Sequence, residues 1–200
     1  MAQQAPNISP IVIFFASIFT SNMILSNFLG MCSYLSVSSE FKTANGLGKA
    51  VVVVLVITNT VNWFLNKYLI QPRNLEFLSF IIYIMVIAAI VQILEMALDR
   101  YLPDLHAKLG IFLPLITVNC AVLGATLFQD IRNYNLPQTI LFNLGSGLGW
   151  WMAISMLAAI KEKIAKNKMP RGLQGVGISF IITGIMALAF IGFSGIFTIQ

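Results

Sequence analysis

Charge in this chain is confined almost entirely to short turns, and the stretches between those turns are apolar and long enough to cross a lipid bilayer. Six such segments are read at about 10–37, 47–70, 76–98, 107–129, 137–160 and 173–198. Composition closes the argument. Of 200 residues, 58% are hydrophobic and only 10% charged, with a mean hydropathy of +0.86. A soluble domain carries about a quarter of its residues as charges. The expected fold class is therefore all-α integral membrane, one transmembrane domain over residues 1–200, with nothing left over for a soluble module. The net charge of +5 does not argue for nucleic acid. In a chain of this kind, basic residues mark the cytoplasmic side.

With six spans, loops one, three and five share a side. That side holds nine basic residues: Lys42, Lys49, Arg100, Lys108, Lys161, Lys163, Lys166, Lys168 and Arg171. The opposite side holds three, Lys67, Arg73 and Arg132. The larger group belongs in the cytoplasm, so both termini are expected to face away from it. The first ten residues, "MAQQAPNISP", lack the basic start of a secretory signal, so the first apolar segment is expected to be retained.

The chain also repeats itself. Cys32 and Cys120 fall in the first segment of each half; "GLG" at 46–48 recurs at 147–149; "SFII" at 79–82 recurs at 179–182. The matches keep their order, which points to duplication, with repeat one at about 10–98 and repeat two at about 107–198. Three spans per copy make the second copy cross in the opposite sense. That is an inverted three-plus-three repeat, whose site is expected between the halves near the bilayer midplane.

The stretch "LGIFLPLITVNCAVLG" at 109–124 sets a proline, an asparagine and a cysteine inside an apolar segment. Pro114 lacks an N–H and crowds the carbonyl of Gly110, and Gly110 and Gly124 favour bending, so a break near Pro114 is expected. Its counterpart, "SNMILSNFLGMCSYL" at 21–35, carries Ser21, Asn22, Ser26, Asn27 and Gly30 ahead of Cys32. The first and fourth helices are thus expected to be split into half-helices. The inverted repeat would bring the two breaks together.

The two cysteines lie inside apolar segments, with no Cys-x-x-Cys spacing. One membrane cysteine needs no explanation beyond packing. One per repeat, each beside a break and with no others in the chain, points to ligation of a soft metal, iron above all. An iron–sulfur cluster takes four thiolates; this chain supplies two, so a homologous partner would supply the rest. Gly30 and Asn119 are candidates to shape the surroundings of the cysteines, Asn119 alternatively making an interhelical hydrogen bond. Glu95, in "VQILEMALDR", lies about one turn inside the third span and is either an ion-path residue or a carboxylate that snorkels to Arg100 or a lysine. "GSGLG" at 145–149 sits inside a span and reads as close helix packing rather than a nucleotide loop. Trp150 and Trp151 read as packing or lipid-facing groups, and His106 as a solvated loop residue. There is no Ser–His–Asp set, P-loop or dinucleotide fingerprint, so this chain cannot bind NADH by itself.

These residues carry a resemblance. "NMILSNFLGMCSYLSVS", "VQILEMALDRYLP", "LGIFLPLITVNCAVLG", "FNLGSGLGWWMAI", "KEKI" and "ITGIMALAFIGFSG" resemble the E subunits of bacterial Na+-translocating NADH:quinone oxidoreductases (Nqr), within the wider Nqr D/E – Rnf A/E family. The likeness covers nearly the whole chain. It implies a six-helix inverted repeat paired with its homologue in the complex, the D subunit, and a [2Fe-2S] cluster taking two cysteines from each, here Cys32 and Cys120. It implies a bacterial inner-membrane complex whose other members (the A, B, C and F subunits) bind NADH, flavins and ubiquinone and couple electron flow to Na+ export. Glu95 resembles a position associated with the cation path. The rival readings are a component of an Rnf-type ferredoxin:NAD oxidoreductase, a stand-alone inverted-repeat transporter, and a structural anchor.

Overall fold

A computed structural model describes residues 9–73, 76–101, 113–165 and 175–192. The elements are α1 (Pro10–Ile18), α2 (Met31–Val37), α3 (Phe41–Leu65), α4 (Ser79–Tyr101), α5 (Leu113–Thr117), α6 (Cys120–Ile131), α7 (Leu136–Ala165) and α8 (Val176–Ile191). α3 runs on through a π-helical turn, Asn66–Ile70. No strand occurs among the described residues, and each of the six apolar segments contains helix. Among the described residues, three helices are long and apolar enough to cross a membrane: Phe41–Ile70, Ser79–Ala97 and Leu136–Ala165.

α7 is the centre of the packing, and its broadest contacts are with α3 and α1. The small residues expected to pack do so. A Cβ added at Gly145 would lie 2.6 Å from the Phe14 carbonyl oxygen, and one at Gly149 3.0 Å from that of Ile18, so both glycines admit the α1 backbone. Gly147 faces α3, where a Cβ would come 3.0 Å from Val52 Cα. Across the same interface Trp151 covers Gly48, and its indole N–H donates to Asn45 Oδ1 at 2.7 Å. Trp150 is fully buried. Contacts of Gly48 with Trp151, Val52 with Gly147 and Asn59 with Asn143 run in opposite directions along the two helices, so α3 and α7 are antiparallel. α4 turns Ile81, Ile84, Met85, Ile93 and Met96 outward, as α8 does Phe180, Ile181, Ile185 and Leu188.

The first segment is broken between Ile18 and Met31. Asn22, fully buried, holds the break: its Oδ1 accepts from the N–H of Ile24 at 3.0 Å and of Leu25 at 3.3 Å, and its Nδ2 donates to the Ile18 carbonyl at 3.0 Å. Non-helical backbone in an apolar medium needs such partners, because each unsatisfied group costs several kcal/mol. The chain enters α2 through Gly30, whose φ of +81° is a left-handed conformation that favours glycine.

The fourth segment is broken four to five residues after Pro114, which itself lies in α5. Helix α5 stops at Thr117, and α6 begins at Cys120 with Asn119 as its N-cap. Gly124 makes no bend: it lies within α6, where a Cβ would meet Leu29 Cδ1 at 2.5 Å, so it serves to dock the first broken segment. Gly110 and His106 lie outside the described residues.

Candidate functional site

The two breaks meet. A Cβ at Gly30 would stand 2.8 Å from Asn119 Oδ1 and 3.2 Å from the Ala121 Cβ, with the Trp150 indole nitrogen 2.6 Å away. Asn119 locks the junction from the other side. Its Oδ1 accepts from the Ala121 N–H at 3.0 Å, capping α6, and its Nδ2 donates to Ser33 Oγ at 3.3 Å, reaching α2. The Ser33 hydroxyl in turn lies 3.1 Å from the Gly30 carbonyl oxygen, to which it donates. So the amide of Asn119 spends both ends on protein partners that hold one half-helix against the other.

Cys120 opens α6 between Asn119 and Ala121, and Cys32 follows Gly30 by two residues at the start of α2. Each cysteine is thus next to, or two residues from, a member of the Gly30–Asn119 contact. Both are free and both are exposed. Near them in the chain, the apolar residues Phe28, at φ +54°, and Val118 are 61% and 75% exposed. Among the described residues no group of three or more His, Cys, Asp or Glu stands ready to hold a metal ion. This chain therefore offers two thiols at an apolar surface. That donor set fits half of a four-thiolate centre completed by a partner, and it does not fit a site held by this chain alone.

Glu95 is half-buried on α4, the helix that packs against α3, α5 and α6. Neither Arg100 nor any other described residue pairs with it.

Sequence reasoning missed a second polar assembly, buried where α3, α6 and α7 meet. Asn59 Nδ2 donates to Asn143 Oδ1 at 2.7 Å, and Asn143 Nδ2 to Gln129 Oε1 at 2.9 Å. Gln129 Nε2 returns to the Asn59 carbonyl at 3.0 Å, while Thr126 Oγ1 donates to Asn59 Oδ1 at 2.6 Å. Asn62 Nδ2 reaches Thr126 Oγ1 at 3.4 Å. One turn on, Asn66 Nδ2 and the Tyr83 hydroxyl both donate to the Asp130 carboxylate. The signal was present in the spacing. Polar residues at 59, 62 and 66 and at 139, 143 and 146 recur every three or four positions, and those at 129 and 130 lie three and four positions after 126, one helical face each.

Comparison with known proteins places these features in a family. The family described as "Rnf-Nqr subunit, membrane protein" matches residues 11–197. A protein of Tolumonas auensis, named as the E subunit of a Na(+)-translocating NADH-quinone reductase, is 53% identical over 190 residues, covering 92% of this chain and 96% of its own length. Proteins of the same name from Chlamydia trachomatis serovar L2 and Chlamydia caviae are 50% and 49% identical over 196 residues, covering 92% of this chain and 80% and 74% of their own lengths.

Proposed function

The chain belongs to the Rnf-Nqr family of membrane proteins, and we propose that it is the E subunit of a Na+-translocating NADH:quinone reductase, supplying half the ligands of an intramembrane iron–sulfur centre. One observation carries this reading: the contact of Gly30 with Asn119 brings two helix breaks together and leaves a cysteine on either side of it at an apolar surface. Cys32 and Cys120 are the ligands from this chain. The homologous D subunit supplies two more, giving a [2Fe-2S] cluster at the interface between the two proteins. When bound, that centre provides one-electron transfer across the bilayer.

What this chain's own residues do follows from their positions. Asn119 fixes the first turn of α6 and so the position of the Cys120 thiol. Its bond to Ser33 fixes α2, and with it Cys32. Phe28 and Val118 keep water from the thiols once the partner is seated; low dielectric and outer hydrogen bonds are the levers by which a protein tunes such a centre. The chain is an inverted three-plus-three repeat in the bacterial inner membrane, with both termini in the periplasm. Glu95 lies at the cytoplasmic mouth of a Na+ path. NADH, flavins and ubiquinone are bound by the A, B, C and F subunits.

The test is iron content and EPR of the purified complex, wild type against Cys32→Ser and Cys120→Ser. Loss of an iron–sulfur signal and of quinone reduction in both variants, with the complex fully assembled, supports the reading. An unchanged signal and full activity would overturn it and favour a transporter or an anchor.

A further inference from the structure

We propose that the polar assembly between α3, α6 and α7 is a cation-binding step, in which Asn62 and Thr139 hold one monovalent cation; its identity as Na+ rests on the function proposed above.

The first argument is unmet bonding. Asn59, Asn62, Thr139 and Asn143 are all fully buried inside helices of membrane-spanning length. A buried polar atom without a partner is costly, so such atoms are rare unless something outside the chain completes them. Asn59 and Asn143 are satisfied by the network. Among the described residues, the Asn62 amide oxygen and the Thr139 hydroxyl have no partner, and neither do the hydroxyls of Thr58 and Ser146 on the same two helices.

The second argument is register. Asn59 pairs with Asn143 in the antiparallel α3–α7 interface. One turn further along α3 is Asn62, and one turn back along α7 is Thr139, so the two residues lie at about one level of the antiparallel interface. Thr126 of α6 reaches that level as well, through its contact with Asn62.

The third argument is chemistry. The donors at this level are amide and hydroxyl oxygens, with no thiol or imidazole, which selects a hard cation. The one carboxylate in the assembly, Asp130, stands about 6 Å further along, the rise of one turn from Asn62 to Asn66. Neutral amide and hydroxyl oxygens at this level suit a singly charged ion, because a divalent one costs more to desolvate. The oxygens of Asp130, Asn62 and Thr58 thus form a line about 12 Å long beside α3. Along it an ion can exchange ligands in steps.

The test uses the intact purified complex, comparing wild type with Asn62→Leu and with Thr139→Val, which keeps the side chain's shape. Three quantities are read: Na+ retained at equilibrium, the Na+ concentration giving half-maximal quinone reduction, and the iron–sulfur EPR signal. The inference expects both variants to bind Na+ more weakly and to need about tenfold more of it, the effect of losing one favourable oxygen contact, with the EPR signal unchanged. Unchanged Na+ retention and half-saturation in Thr139→Val, or in Asn62→Leu where that complex assembles, would mean that the unmet oxygens hold water only, and the inference would fall. A wild-type complex with neither Na+ dependence nor a cluster signal would instead bring down the proposed function.

Discussion

Gly30 and Asn119 hold this junction together, while the two cysteines beside them are exposed. Gly30 is constrained twice, by a φ of +81° and by the indole and amide that would meet a Cβ within 2.8 Å. Gly30→Ala must therefore shift Trp150 or Asn119. The expected result is a complex that assembles in lower yield and melts several degrees lower, read by thermal unfolding. Asn119→Ala removes an N-cap, a loss of about 1 kcal/mol, and also the bond to Ser33. Ser33→Ala keeps the cap and removes that bond without adding a charge. If the potential of the proposed cluster shifts in both variants while stability falls mainly in Asn119→Ala, the Ser33 bond is what sets the thiol geometry; equal potentials in wild type and both variants would assign Asn119 to packing alone. The importance of both residues was visible in the sequence, because each sits beside a cysteine within an apolar run. Their mutual contact was not, since 88 residues separate the cysteines they adjoin.

At the scale of elements, the half-helices were legible and their endpoints were not. Asparagine, serine and glycine ahead of Cys32 announced a break, and Asn22 supplies its hydrogen bonds. In the fourth segment the break among the described residues falls at Asn119, which caps the helix that follows, rather than at Pro114 itself. The glycines of α7 were read correctly as packing residues, and the structure adds which neighbour each admits. Gly145→Val would press a branched side chain into the Phe14 carbonyl, and overpacking of this kind costs roughly 1–3 kcal/mol. It should separate α1 from α7 and raise protease sensitivity of the assembled complex, whereas Gly177→Val, with open space around the glycine, should leave it unchanged. A gel-based proteolysis time course checks both.

For the molecule as a whole, the charge asymmetry predicts orientation. Alkaline phosphatase fused after Gln200 should be active, because it folds only outside the cytoplasm, and green fluorescent protein at the same point should stay dark. The reverse pattern would invert the topology and remove Glu95 from the cytoplasmic side proposed for it. The sequence by itself determined the solvent this protein lives in, its helical class and the side expected to face the cytoplasm, because hydropathy and charge are summed along the chain and need no knowledge of contacts. It also determined which residues are chemically out of place in a membrane. Tertiary structure alone decided which of those residues meet. The approach of Gly30 to Asn119, and the level shared by Asn62 and Thr139, arise from the register of helices distant in sequence, and close packing of small residues sets that register in a medium where burial of apolar surface cannot.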